Sequence, residues 1–138
     1  MKNKIFSYSP LSADAAALLL RLVFGGLFIY HGYTKLVAYN EILPRFPDLI
    51  GIGAKTSFIL VIFAEFFCGI LVTIGLLTRL AVIPILITMA VAFFIAHAKD
   101  NFNVKELALI YLLLSFVIFI LGGGRYSLDK LIFKNKNQ

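Results

Sequence analysis

Residues 57–77 read SFILVIFAEFFCGILVTIGLL, and the only charged side chain in this stretch is Glu65. A helix needs about 20 predominantly apolar residues to cross the hydrocarbon core of a bilayer, so the stretch is long enough to span a membrane. A carboxylate at that depth is costly unless it finds a partner inside the protein. The stretch therefore predicts a transmembrane helix that carries one buried ionisable group.

The composition of the whole chain agrees with this interpretation. Hydrophobic residues make up 61% of the 138 residues, against about 45–50% in an ordinary soluble domain, and the mean hydropathy is +0.95. We predict an all-α, polytopic membrane protein of a single domain, a bundle of four transmembrane helices with both termini on the same side. The helices cover residues 13–36, 55–77, 80–98 and 104–121, and residues 122–138 form a basic tail.

The net charge of +6 predicts contact with a lipid bilayer rather than with nucleic acid. The basic residues lie at the chain ends and in short loops, which suits anionic lipid head groups, and no basic stripe is interleaved with aromatic residues. The side that holds the termini carries Lys2, Lys4, Arg79, Arg125, Lys130, Lys134 and Lys136. Because cytoplasmic segments are enriched in lysine and arginine, we expect both termini to face the cytoplasm.

The first predicted helix carries a buried positive charge that faces the second helix. Steps of three and four residues place one set of side chains on a single face of it: Arg21, Gly25, Phe28, Gly32 and Lys35. The glycines on this face let a neighbouring helix approach closely. Arg21 and Glu65 differ in depth by about 8 Å at 1.5 Å per residue, which a long arginine side chain mostly covers. We therefore expect a buried Arg21–Glu65 ion pair, serving either as a structural clamp or as a site that handles protons or substrate.

A second group of polar side chains gathers toward the face opposite the termini, where helices one, three and four have their ends. Taken singly, Lys35 could extend to the interface and Glu106 could favour the positive end of its helix. His31 lies deeper and has no such explanation. Together the group predicts one polar site made of His31, Lys35, Glu65, His97 and Glu106.

The sequence predicts no metal site. The Glu-x-x-His pair that is typical of metal sites in helix bundles is absent. The single cysteine, Cys68, leaves no intrachain disulfide and no cysteine-built metal centre. No cofactor is evident and the catalytic residues, if any, are unknown, although His31 or Glu65 could hydrogen-bond a quinone oxygen in an apolar pocket.

Four motifs occur in order along nearly the whole chain. They are RLVFGGLFIYHGYTKL at residues 21–36, EFFCGILVTIGLLTR at 65–79, His97 with ELALIYL at 106–112, and GGGRYSLD at 122–129. Together they resemble the DoxX family of small bacterial membrane proteins. The resemblance implies a four-helix bundle in the cytoplasmic membrane and an association with oxidoreductases. Relatives form the membrane subunit of a thiosulfate:quinone oxidoreductase, and others act with thiol-redox or superoxide-detoxifying partners.

Three functions remain open on the sequence. The first is the membrane component of a redox system, either quinone-linked or tied to thiol and oxidative-stress chemistry. The second is a non-catalytic membrane anchor or stabilising partner of another enzyme, in which the basic tail at residues 125–136 docks that enzyme or lipid head groups. The partner of the chain could be a redox enzyme or a second copy of the chain in a homo-oligomer. The third is a small-molecule permease, which four helices without an inverted repeat suit less well. The sequence contains no self-contained catalytic motif, so whether the chain is an enzyme stays open.

Overall fold

The computed structural model describes residues 4–134, which contain helices, turns and no strand. Four helices in this range are long and apolar enough to cross a membrane: α1 (Ala13–Val37), α2 (Ala54–Ile74), α3 (Thr78–Ala96) and α4 (Phe102–Leu121). The all-helical membrane fold predicted from the sequence is therefore confirmed. A short helix, α5 (Leu128–Phe133), follows α4. Lys2, Lys136 and the rest of the basic tail from 135 to 138 lie outside the described residues.

The main difference from the predicted bounds lies at the turn between α2 and α3. The structure ends α2 at Ile74, three residues before the predicted end, and starts α3 at Thr78. Gly75 has a φ of 73° and Leu77 has a φ of 49°, so both lie in the left-handed region. Glycine reaches that region without penalty and ends the helix there. Leu77 is held in it by its neighbours.

Those neighbours belong to the segment that follows α4. The Asp129 carboxylate accepts hydrogen bonds from the backbone N–H groups of Leu77 (2.6 Å) and Thr78 (2.9 Å). It thereby satisfies donors that the first turn of a helix leaves without a partner. At the start of α1, the Asp14 carboxylate accepts a hydrogen bond from the backbone N–H of Arg125 (2.9 Å). The start of α1 and the segment after α4 therefore lie on the same side of the bundle.

Two arginines complete the packing at this end. The guanidinium of Arg21, which is 1% exposed, donates to the carbonyls of Thr73 (3.0 Å) and Tyr126 (2.6 Å), with a longer contact to Val72 (3.4 Å). Arg79 donates in the same way to carbonyls at the end of α4, Phe119 O (2.9 Å) and Ile120 O (3.3 Å). The last carbonyls of a helix have no partner within it and carry partial negative charge. Each arginine therefore caps the C-terminus of a transmembrane helix by donating hydrogen bonds to its last carbonyl groups.

The apolar core lies between α1, α2, α3 and α4 and is built mainly from Phe24, Phe28, Val72, Val82, Ile85 and Ile118. Helices α1 and α2 approach each other most closely at glycines. A Cβ on Gly32 would stand 2.7 Å from the Cα of Phe66, and one on Gly25 would stand 2.9 Å from the carbonyl oxygen of Gly69. These two contacts set the register of α1 along α2, and with it the partners of every polar side chain on this face.

Candidate functional site

Glu65 is paired, but with Lys35 and not with Arg21. Lys35 Nζ lies 2.7 Å from Glu65 Oε2, and the Glu65 residue is only 5% exposed. The expected Arg21–Glu65 pair is therefore wrong. The close approach of Gly32 to Phe66 brings the next turn of α1, which holds Lys35, beside Glu65. The same register leaves Arg21 opposite the end of α2, where its guanidinium donates only to carbonyl groups within residues 4–134.

The Lys35–Glu65 pair lies in a cavity of about 270 Å³ toward the ends of the helices opposite the termini. Four of the five side chains predicted for a polar site line this cavity: His31, Lys35, Glu65 and His97. The rest of the lining is Phe28, Met89, Ala92, Val104, Leu107, Ala108 and Tyr111. Charged and polar side chains therefore line one part of the cavity, and mostly apolar side chains line the larger part.

Glu106 does not belong to this cavity. Helix α4 contributes Val104, Leu107, Ala108 and Tyr111, whose spacing of three and four residues marks one face of a helix. Glu106 lies off that face and is exposed. Proximity to the helix end was therefore a poor guide to its position, because the direction of a side chain around the helix axis matters as much as its depth.

Tyr111 is the polar residue that the site prediction missed. Its ring packs on the ring of Phe28, with centroids 4.7 Å apart, and lies 6.2 Å from the ring of His31. The signal that could have found it was present in the sequence, since Tyr111 continues the apolar spacing of Val104, Leu107 and Ala108. A tyrosine on the buried face of a transmembrane helix brings a hydroxyl group into the bundle.

Three of the groups lining the cavity have hydrogen-bonding capacity that the protein does not use. Within residues 4–134, Glu65 Oε1, the ring nitrogens of His31 and the Tyr111 hydroxyl have no protein hydrogen-bond partner. None of these atoms is fully enclosed by protein, so each faces the open space of the cavity. A carboxylate, an imidazole and a phenol that lack hydrogen-bond partners within residues 4–134 form a surface that can hydrogen-bond a ligand.

Two irregular helical turns flank the same cavity. Glu65 sits in a π-helical turn of α2, Phe63–Phe67, and Ala92 begins another in α3, Ala92–Ala96. Such turns are rare and occur frequently at functional sites, because the extra residue redirects the side chains around it. In α2 the turn lies next to the contact of Phe66 with Gly32, so it forms part of the geometry that presents Glu65 to Lys35.

His97 lies at the rim of the cavity. Its Nδ1 is 2.7 Å from Asp100 Oδ2, and its side chain is 39% exposed. Nearby, the Lys105 ammonium lies 5.1 Å from the centre of the Phe93 ring, within the range of a cation–π contact. His97 and Asp100 thus link the cavity to the polar loop between α3 and α4. Within residues 4–134, no group of three or more histidine, cysteine, aspartate and glutamate side chains is arranged to hold a metal ion.

Comparison with known proteins agrees with the fold. Residues 16–98 match the model of the family described as DoxX. An uncharacterized membrane protein of Mycobacterium tuberculosis is 34% identical over 83% of this chain and 80% of its own length. An uncharacterized protein of Haemophilus influenzae is 30% identical over 90% of this chain and 87% of its own length. A Bacillus subtilis protein named "Putative oxidoreductase CatD" is 29% identical over 91% of this chain and 92% of its own length. No solved structure gives a significant match.

Proposed function

The chain belongs to the DoxX family of membrane proteins, and on that premise we propose that it is the membrane component of a quinone-linked redox system. The observation that carries the proposal is that Glu65 Oε1, the His31 ring nitrogens and the Tyr111 hydroxyl line one cavity between the transmembrane helices and have no hydrogen-bond partner within residues 4–134. The name of the Bacillus subtilis relative, which includes the word oxidoreductase, also supports a redox function.

The cavity suits the ring of a quinone in size and in chemistry. Its volume of about 270 Å³ lies just below the range of about 300–1,000 Å³ that drug-sized ligands occupy, so it favours a ring-sized group. Phe28, Met89 and Leu107 provide an apolar wall for such a ring. The Tyr111 hydroxyl and an N–H of His31 are donors, which the two oxygens of a quinone require. An apolar tail could leave the bundle directly into lipid.

The side chains of the cavity can also hold protons. When bound, a quinone supplies an acceptor of two electrons and two protons, and the electrons come from a partner oxidoreductase. Lys35 holds Glu65 by one carboxylate oxygen and leaves Oε1 available to accept a hydrogen bond from a quinol hydroxyl. The ring nitrogens of His31 can donate or accept a hydrogen bond. His97 and Asp100 lie at the rim of the cavity, beside the polar loop between α3 and α4.

The experiment that tests this proposal compares two glutamates. Purified protein in lipid nanodiscs is titrated with a short-chain benzoquinone and a naphthoquinone, each in its reduced quinol form, and binding is followed by equilibrium partition. We expect saturable binding by the parent protein and a loss of about tenfold or more in quinol affinity in Glu65→Gln. The reason is that a quinol hydroxyl can donate to the Glu65 carboxylate, and a hydrogen bond to a charged group contributes about 1.5–3 kcal/mol.

Glu106→Gln is the matched control, since it makes the same chemical change at an exposed position outside the cavity. It should bind the quinone as the parent does. Equal affinities for the two variants, or no saturable binding by the parent, would remove the support for a quinone site here. A stoichiometric enzyme that co-purifies with a protein unable to bind quinone would favour the anchoring function instead.

We also propose that both termini face the cytoplasm from a bacterial inner membrane. Arg79, Arg125, Lys130 and Lys134 lie at the terminal end of the bundle, and cytoplasmic segments are enriched in such residues. Reporter fusions at the C-terminus and between Asp100 and Asn101 should give opposite signals, with the C-terminal reporter active on the cytoplasmic side. A C-terminal reporter active only outside the membrane would reverse the orientation and the side on which the cavity opens.

A further inference from the structure

A second and larger cavity lies at the opposite end of the bundle from the quinone site. It is a groove of about 630 Å³ between the start of α3, the glycine-rich exit of α4 and helix α5. Its charged lining residues are Arg79, Asp129, Lys130 and Lys134. We call it the basic groove, and we propose that it binds the phosphate head group of an anionic phospholipid.

The charge available inside the basic groove is positive. Both oxygens of the Asp129 carboxylate are already engaged by the backbone N–H groups at the start of α3. In contrast, the amines of Lys130 and Lys134 have no partner among residues 4–134. Arg79 uses Nε and Nη2 to hold the end of α4, and its third nitrogen, Nη1, has no hydrogen-bond partner among residues 4–134. Three cationic groups therefore line a groove whose one acid has its hydrogen bonds elsewhere.

The glycines of the exit shape the floor of the groove. A Cβ on Gly122 would stand 3.0 Å from Arg79 Nη2, and one on Gly123 would stand 2.7 Å from Ser127 Oγ. Side chains at these positions would push the guanidinium and α5 away from the end of α4. The bare backbone instead keeps Arg79 and α5 close together, which brings the arginine and the two lysines to the same groove.

The surroundings of the groove favour a lipid over a free anion. Leu80 is 64% exposed, Ile120 is 74% exposed and Leu131 is 74% exposed. The first two lie at the ends of transmembrane helices, where acyl chains lie against the protein. Helix α5 combines exposed leucine and isoleucine with Lys130, a pattern typical of short helices that lie in the membrane interface. A phosphate with attached acyl chains matches both the charged and the apolar parts of this surface.

The test compares two double variants with the same change of charge. Lys130→Gln/Lys134→Gln removes the two lysines of the groove. Lys55→Gln/Lys99→Gln removes two exposed lysines from the other end of the bundle. Binding of a fluorescent phosphatidylglycerol is measured in phosphatidylcholine nanodiscs by energy transfer to a dye fixed on the protein. Because a basic residue near a membrane surface strengthens binding of anionic lipid about fivefold, we expect a loss of about 25-fold in the groove variant and little change in the control.

Each other result counts against the proposal. Equal losses in the two double variants would mean that the lipid responds to overall charge and not to the groove. Displacement of the lipid by inorganic phosphate at the same concentration would identify a free anion as the ligand. A parent protein that does not prefer phosphatidylglycerol over phosphatidylcholine would remove the site altogether. Thermal unfolding measured alongside should show that both double variants are folded.

Discussion

Arg21→Gln should lower the free energy of unfolding by about 3 kcal/mol and the melting temperature by roughly 10 °C. Arg21 is 1% exposed, and its guanidinium holds carbonyls at the end of α2 and the carbonyl of Tyr126. A glutamine is too short to reach both, so buried acceptors lose their donors. Leaving such groups unsatisfied costs more than the bond itself contributes. The end of α2 and the segment after α4 should both loosen.

Cys68 provides the readout for this experiment. It is the only cysteine of the chain and is 2% exposed, so a thiol-reactive fluorophore reports unfolding directly. Arg45→Gln is the control, because Arg45 is exposed and lies away from the helix ends that Arg21 joins. The loss from Arg21→Gln should also add to that from Glu65→Gln within about 0.5 kcal/mol, as for residues that do not interact. A larger interaction energy would mean that Arg21 and Glu65 do interact, against the contacts described above.

Gly32→Ala should destabilise the bundle by about 2–3 kcal/mol, the upper part of the range for overpacking a well-packed interior. Its new Cβ would stand 2.7 Å from the Cα of Phe66. Because this atom belongs to backbone, α1 and α2 can relieve the overlap only by moving apart. The movement would also separate Lys35 from Glu65, so quinone binding should weaken together with stability.

Gly26 offers a matched control on the same helix. A Cβ there would meet nothing within 4 Å, so Gly26→Ala should be neutral or slightly stabilising through the helix preference of alanine. Both variants can be compared by accumulation in membranes and by Cys68 labelling during heating. If the two alanines have the same effect, the close approach at Gly32 does not set the register of the two helices.

Hydropathy and length were enough to predict the four spans, because a membrane forces every apolar stretch of that length into a helix. The spacing of three and four residues was enough to predict that Arg21 and Lys35 share a face of α1. Hydropathy, length and spacing could not decide which of the two meets Glu65. That choice depends on how far α1 slides along α2, and the sliding is fixed by the contact of Gly32 with Phe66. No periodicity within a single helix contains this information.

The contacts at the end of the bundle that holds the termini also could not be predicted from the sequence. The GGGRYSLD motif was noted in the sequence, but its role was not. Asp129 caps α3 across 51 residues of chain, and the Tyr126 carbonyl binds Arg21 across 105 residues. Contacts at such separations arise only when the bundle is assembled. Tyr111 is a different case, since its position on the same face of α4 as Val104, Leu107 and Ala108 could have been worked out from spacing alone.

The most direct test of a quinone site beside Glu65 is to find where a quinone binds. A photoreactive quinone analogue, reduced to the quinol whose hydroxyl can donate to Glu65, is cross-linked to the protein in nanodiscs, and the labelled peptides are identified by mass spectrometry. We expect labels on the cavity-lining parts of α3 and α4, from Met89 to Ala92 and from Val104 to Tyr111, with labelling lost in Glu65→Gln and retained in Glu106→Gln. Labels confined to the outer surface of the bundle or to the basic groove, or labels that are unchanged in Glu65→Gln, would contradict it.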